Sequence, residues 1–308
     1  MAREAIVVGL GLIGGSIALA LRDRGWQVRY RDPFETTEVF PRADDDLAAD
    51  LIVLAAPVDG CVRFLEEHDC AVTTTSVASV MAPLRAAARG AFVAGHPMAG
   101  SEQQGFAAAR ADLFEGKRWF VDRSDPLVDE LLRDCGALAE PVEAEAHDRA
   151  VALTSHLPQA LSTALAAYLE GEGADARAVS DEVAAFLRLA KSGAGAWVPV
   201  LMANREPVER GLEGVLRLVG EGERPAELLE ELPRALSSAL AAYVASEEVE
   251  GRFAGTGLAT FVSLDEGDAA PRAHYAPALD AISRLVRAMT RGDGSPFDAA
   301  RRFALRLR

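Results

Sequence analysis

The first thirty-two residues constrain this chain more than any other stretch. An apolar run suited to a strand, Ala5-Ile6-Val7-Val8, leads into Gly9-Leu10-Gly11-Leu12-Ile13-Gly14-Gly15-Ser16. A helix-like segment, Ile17 to Leu21, follows, and then a second strand candidate, Trp26 to Tyr30, ending in Arg31-Asp32. Strand, glycine turn, helix, strand and acid in this order make a dinucleotide-binding unit. Gly9 permits the tight turn, Gly11 lets the backbone approach a pyrophosphate, and Gly14 lets the helix pack on the strand. The helix N-terminus offers unpaired N–H groups and a positive dipole end to phosphates. Gly9, Gly11, Leu12, Ile13 and Gly14 are therefore the candidate cofactor-binding residues of the turn. Asp32 lies eighteen residues past Gly14, where a carboxylate can accept hydrogen bonds from an adenosine ribose. The same charge repels a 2′-phosphate, so NAD is favoured over NADP as the cofactor. Arg31, beside it, can either pair with such a phosphate or lie over the adenine face.

A chain of 308 residues, half of them apolar, has room for two domains with a sizeable core. The net charge of −15 is spread along the sequence, which argues against nucleic acid or an anionic membrane surface as a partner. No apolar run reaches membrane-spanning length, and the N-terminus passes directly into a strand without a signal-like region, so a soluble, cytoplasmic protein is expected. Cys61, Cys70 and Cys135 are widely spaced and form no CxxC. They suggest neither a disulfide framework nor a zinc site, and they fit a reducing compartment.

Apolar runs bounded by turn residues recur through the first half, at 51–56, 71–77, 91–94 and 119–121, with helix candidates at 57–67 and 80–89. Alternation of this kind predicts an α/β unit with a doubly wound, Rossmann-type parallel sheet, whose ligands gather at the carboxyl ends of the strands. From about residue 143 strand signals vanish. The segments 147–169, 180–191, 195–218 and 226–245 are rich in alanine and leucine at helical spacing, with Pro158, Pro199 and Pro207 placed to kink or cap them. Segments 170–173 and 220–224 read as loops, 258–264 as a strand, and 278–289 as a helix opened by Pro277. The expected plan is a dinucleotide-binding domain over 1–145 and an all-helical C-terminal domain for substrate and dimerisation over 146–308, with 246–308 its least legible part. Alanine ridges on the helical half favour close packing against a partner, hence a homodimer.

His96 stands in Gly95-His96-Pro97-Met98-Ala99-Gly100-Ser101-Glu102, directly after a strand on the nucleotide side. A histidine there can accept a proton from a substrate hydroxyl as hydride leaves; it can equally cap a loop. This octapeptide and the glycine turn are joined by His147-Asp148-Arg149-Ala150, by Ser155-His156-Leu157-Pro158-Gln159, and by Arg188-Leu189-Ala190-Lys191-Ser192 with Trp197 and Asn204. Together these blocks, over residues 4–245, strongly resemble the prephenate/arogenate dehydrogenase family of tyrosine biosynthesis. The resemblance implies oxidation of the C4 hydroxyl of a cyclohexadienyl acid, with hydride passing to NAD and CO2 leaving as the ring aromatises. It implies that His96 binds and deprotonates that hydroxyl, and that Ser79 hydrogen-bonds the hydroxyl or the imidazole. Arg188 would hold a substrate carboxylate, a use suited to a bidentate guanidinium. His156 and Gln159 would line the substrate pocket, and His147 reads as structural.

The chain departs from the family pattern at several points. Ser76, Ser79 and Met81 stand where an Asp-x-x-Ser-x-Lys pattern is usual, so the serine is kept and the acid and lysine are not. Gln159 replaces the last histidine of His-Leu-Pro-His, and Pro199 falls where an acid commonly follows the tryptophan. Loss of a lysine near an anionic substrate is expected to weaken or retune its binding. Arogenate and 4-amino-4-deoxyprephenate are therefore alternative substrates. A β-hydroxyacid or imine reductase, relying on Lys191, and a non-catalytic NAD-binding regulatory protein are the readings from other classes.

Overall fold

A computed structural model describes residues 2–43, 47–100, 103–221 and 270–307. The sequence-predicted helix at 226–245, the strand at 258–264, and Ser101 and Glu102 lie outside the described residues. The chain divides into two compact units between Asp148 and Arg149, where the sequence suggests a boundary after residue 145.

The first unit runs β1 (Glu4–Val8), α1 (Leu12–Asp23), β2 (Gln27–Arg31), β3 (Leu51–Leu54), α2 (Val58–Glu67), β4 (Cys70–Ser76), α3 (Ala82–Ala87) and β5 (Gly90–Val93). The five strands form one parallel sheet in the order β2-β1-β3-β4-β5. All four residues of β3 are buried, as expected of a strand covered on both faces. The strand order reverses between β1 and β3, the switch point at which such sheets take ligands. The glycine turn sits there. Gly9 has φ +98°, and a Cβ on it would fall 2.6 Å from the carbonyl of Ala55 and the nitrogen of Ala56. A Cβ on Gly14 would fall 2.0 Å from the Gly9 carbonyl oxygen, so α1 lies on β1 only because that side chain is missing. The helix begins at Leu12, earlier than the apolar segment from Ile17 suggests, since its glycines are the surface it packs with.

A second sheet follows, β6 (Gly95–Pro97), β7 (Arg118–Val121) and β8 (Leu138–Pro141), with α4 (Pro126–Asp134) between the last two strands. β6 and β7 are antiparallel, while β7 and β8 are parallel. The run at 119–121 therefore belongs to this sheet and not to the parallel one. His96 lies within β6, paired with Phe120, and not in a loop after a strand. β8 escapes sequence reading because none of its residues is buried, leaving no alternation to see. Trp119 is fully buried against Phe114. A Cβ on Gly95 would come within 2.9 Å of the Trp119 indole nitrogen and 2.8 Å of the Ser76 carbonyl oxygen, which fixes how closely β6 enters the core.

The second unit is helical. α5 (Ala144–Val151) carries the division between the units, and a π turn (Ala152–His156) leads into α6 (Leu157–Gly171). The π turn is the kink that Pro158 imposes: with no N–H at that position, the carbonyl one turn earlier loses its helical donor and the backbone widens. α7 (Asp181–Leu187), a 3₁₀ turn (Arg188–Lys191), α8 (Ala194–Ala203), α9 (Arg205–Glu221), α10 (Ala270–Met289) and α11 (Ser295–Ala304) follow. The segment 195–218 breaks in two at Asn204 because Pro207 cannot donate to the carbonyl of Ala203. Pro199 lies inside α8. Glu170 and Gly171 extend α6 where the sequence suggests a loop, and Gly220 and Glu221 likewise end α9. Pro277 lies inside α10 and does not open it, the helix starting at Ala270. α11 closes on α6: Phe303 and Ala304 are fully buried in a cluster with Ala166 and Phe186, and Glu170 pairs with Arg302 and Arg306.

The three cysteines are unpaired and buried, and burial pushes the thiols of Cys61 and Cys135 up to about 12. Neither a metal-ligand cluster nor a helix long and apolar enough to cross a membrane is present among the described residues.

The turn geometry separates two effects that usually travel together. Gly9→Ala should lower the thermal midpoint, since a left-handed backbone in a non-glycine residue costs on the order of 1–3 kcal/mol before the clash with Ala55 is counted. Gly11 has φ −79° and nothing within 4 Å of its Cβ position, so Gly11→Ala should melt with the wild type while NAD affinity, read by calorimetry, falls. Equal melting of Gly9→Ala and wild type would remove the steric account of the turn.

Candidate active site

The nucleotide end of the site is built from backbone. Gly11 is the N-cap of α1 in extended conformation and makes no side-chain cap. The N–H groups of Leu12, Ile13 and Gly14 are then the first-turn donors, which a helix leaves without intrahelical acceptors. Space at Gly11, close approach at Gly9 and Gly14, and an acid at the end of β2 all fit a dinucleotide. Asp32 is already engaged: Oδ2 accepts from Leu10 N at 2.7 Å, and Oδ1 accepts from Phe34 N and Glu35 N at 2.8 Å each. The carboxylate thus ties the glycine turn to the segment after β2. Oδ2 retains accepting capacity for a ribose hydroxyl. Arg31 closes the same edge, its carbonyl accepting from Gly9 N at 2.9 Å.

His96 is half-buried on β6, and its surroundings come from three directions. Gly95 N, one residue before it, donates to Ser76 Oγ at 3.3 Å, so the serine that replaces the usual acid braces the start of β6. Ala94 N donates to the buried carboxylate of Asp122, which also pairs with Arg85. The His96 ring meets His147, with Nδ1 of His96 2.9 Å from Nε2 of His147. His147 Nδ1 is in turn 2.9 Å from Asp148 Oδ1. His147, read from the sequence as structural, is therefore hydrogen-bonded to the candidate base.

Ser79 is half-buried on the connection between β4 and α3, and no hydrogen bond joins it to His96 among the described residues. Met81 on the same connection is fully buried in the core. A lysine ammonium in that place would be desolvated, a cost the methionine side chain avoids.

In the helical unit, Arg188 is exposed on the 3₁₀ turn that ends α7. Two side chains of α6 hold this turn. Gln159 is buried and donates to Leu189 O at 2.9 Å, and Ser162 donates to Phe186 O at 2.9 Å. Gln159, expected to touch substrate, is engaged through Nε2 with the carbonyl next to Arg188. His156 is fully buried on the π turn, with Asn204 Nδ2 3.0 Å from its Nδ1 and the Trp197 ring edge-on at 6.1 Å. Asp148 and Asn204 carry no role in sequence reading. Their signals are faint there, because Asp148 meets Met81 N and Ala82 N, and Asn204 meets His156, across long stretches of chain.

Two family models match the chain: prephenate dehydrogenase, nucleotide-binding domain, over residues 34–137, and prephenate dehydrogenase, dimerization domain, over residues 143–221. The chain is 30% identical to a protein of Streptomyces niveus described as probable prephenate dehydrogenase NovF, covering 86% of this chain and 82% of that one. Among solved structures, prephenate dehydrogenase from A. aeolicus, in complex with hydroxyphenyl propionate and NAD+, superposes with a TM-score of 0.63 at 24% identity, covering 82% of this chain and 98% of that one. Synechocystis arogenate dehydrogenase superposes at 0.57 with 23% identity, covering 78% of this chain and 100% of that one. These likenesses below 25% identity concern the fold, and they match the Rossmann-type unit and helical unit described above. With both domain models matched in order, and a relative at 30% identity along most of its length, the chain belongs to the prephenate dehydrogenase family.

Proposed function

We propose that this chain is an NAD-dependent dehydrogenase that oxidatively decarboxylates prephenate, or a close cyclohexadienyl relative such as arogenate, to the aromatic product. The observation that carries this reading is His96: a half-buried imidazole, hydrogen-bonded into the unit that also holds the glycine turn.

The first turn of α1 and Asp32 would hold NAD, which when bound would supply the hydride acceptor. His96 takes the proton of the C4 hydroxyl as the carbon–hydrogen bond gives up its hydride, leaving a ring ketone. Departure of CO2 returns the electron pair of its bond to the ring and leaves a phenolate. His96 can give its proton back to that oxygen, so the imidazole ends the cycle as it began and no net proton is consumed. Ser79 supplies a hydroxyl for the same oxygen from the β4–α3 connection. Arg188 pairs with a substrate carboxylate. Electrostatics demands such a cation, because a dianionic substrate approaches a protein of net charge −15. Lys191 stands on the same 3₁₀ turn three residues on, where side chains eclipse, so both cations share a face.

A homodimer through the helical unit is supported by the dimerization-domain model over 143–221.

The test is direct. Purified protein with NAD should form NADH from prephenate; arogenate and 4-amino-4-deoxyprephenate, run beside it, rank the relatives by kcat/KM. No NADH from any of the three would leave the regulatory reading. His96→Asn should lose on the order of 10²–10⁴-fold in kcat, the usual worth of a positioned base, with NAD affinity unchanged. Near-wild-type turnover would reduce His96 to a structural residue of β6.

Arg188→Ala should raise KM about 10- to 150-fold, since charge-assisted hydrogen bonds to a desolvated carboxylate are worth about 1.5–3 kcal/mol. Arg188→Lys should recover only part of this, and Lys191→Ala should raise KM by less than Arg188→Ala. The apo thermal midpoint should stay at wild type for both alanine variants. A depressed midpoint with unchanged KM would make the arginine a structural pin.

A further inference from the structure

We infer, on the reading of His96 as the group that takes the hydroxyl proton, that His147 and Asp148 are positioning residues that fix His96 in its Nδ1–H tautomer and so place the accepting lone pair on Nε2. The assignment follows from counting donors along the chain. Asp148 is buried, 5% exposed. Its Oδ1 accepts from Met81 N at 2.8 Å, and its Oδ2 accepts from Ala82 N at 2.9 Å. Backbone N–H groups can only donate, so both carboxylate oxygens act as acceptors. His147 Nδ1, 2.9 Å from Oδ1, must then carry a hydrogen. A neutral imidazole protonated at Nδ1 has its lone pair on Nε2, and that nitrogen faces His96 Nδ1 at 2.9 Å. His96 therefore donates from Nδ1.

Packing holds the arrangement. His147, 3% exposed, meets the His96 ring edge-on at 5.0 Å, with the planes at 88°, and lies 5.4 Å from Phe120. Phe120 is the register partner of His96 across β6 and β7. The strand pair thus sets the distance between the two imidazoles. Asp148 also supplies the cap that α3 lacks locally, because Met81 at its N-cap makes no side-chain cap. The connection so capped is the one that carries Ser79. When His96 becomes cationic, its Nδ1–H donates along a line that ends in a carboxylate, which stabilises the charge without moving a second proton.

The experiment reads the tautomer itself. In the full-length chain labelled with ¹⁵N-histidine, without substrate, long-range ¹H–¹⁵N imidazole spectra distinguish Nδ1–H from Nε2–H, and His96→Asn assigns the signals. Wild-type His96 is expected as Nδ1–H. His147→Phe keeps a ring against Phe120 and removes the acceptor; His96 should shift toward Nε2–H, and kcat should fall about 10²-fold or more, as for a base presented in the wrong tautomer. NAD affinity should hold. His147→Gln carries an amide oxygen at the reach of Nε2 and should restore the Nδ1–H form and most of kcat. Wild-type His96 found as Nε2–H, or a His147→Phe protein with Nδ1–H retained and full kcat, overturns the inference. Should His147→Phe fail to fold, the wild-type and His147→Gln spectra decide it alone. Because the spectra need no substrate, failure of the dehydrogenase reading is separable from failure of the tautomer.

Discussion

A carboxylate removed from water costs several kcal/mol unless donors meet its oxygens. Asp148 meets that condition with Met81 N, Ala82 N and the His147 ring. Its partners come from two separate stretches, the β4–α3 connection and the start of α5. Much of the first unit's chemistry hangs on this one group. The connection it caps presents Ser79, and the ring it orients presents His96 through a single further hydrogen bond. Apart from the bond between the neighbours His147 and Asp148, these contacts join distant parts of the chain, so each depends on the others, which is how a low-dielectric network specifies one arrangement.

Asp32 follows the same logic at the other end of the unit. Three backbone N–H groups, from Leu10, Phe34 and Glu35, bind its carboxylate. The acid that sequence reading assigns to ribose recognition is also a clamp between the glycine turn and the segment after β2. That makes it preorganised: its orientation is set by the fold before any hydroxyl arrives, so little rotamer freedom is lost on binding. It also means that cofactor affinity and local stability cannot be changed independently at position 32. At Gly11 they can, because that position is open.

What the sequence makes legible is what local constraints determine. Gly9 and Gly14 are demanded by atoms within a few ångströms, and the demand survives in one dimension as spacing. Helical periodicity after residue 143 is equally local, and Pro158 announces a break, although not that the break is a π turn. The second sheet is legible only as the run at 119–121, which the sequence assigns to the parallel sheet. Its strands are three or four residues long, and β6 pairs with β7 across the whole excursion between Pro97 and Arg118. Nothing near His96 marks it as a strand residue. The contact between His96 and His147 spans 51 positions. The sequence shows both histidines and the aspartate, but not that they form a chain. Gln159 and Met81 show another limit: a departure from family pattern does not say what the new side chain packs against or bonds to. Here Met81 is core, and Gln159 bonds to Leu189.

That distinction bears on how an acidic protein holds an acidic substrate. If position 81 had been a cation facing the ligand, its replacement by methionine would remove one of few counter-charges. Met81 is fully buried, so on the proposed reading charge pairing falls to the 3₁₀ turn that carries Arg188 and Lys191 together. A 3₁₀ turn is held by poorer hydrogen bonds than an α-helix, so its geometry is fixed more firmly by support from outside. Gln159 and Ser162 supply it by donating to Leu189 O and Phe186 O, the carbonyls that flank the arginine's position on the chain. An amide serves at 159 because the acceptor is a buried carbonyl: a neutral donor satisfies it without placing a second charge beside the arginine.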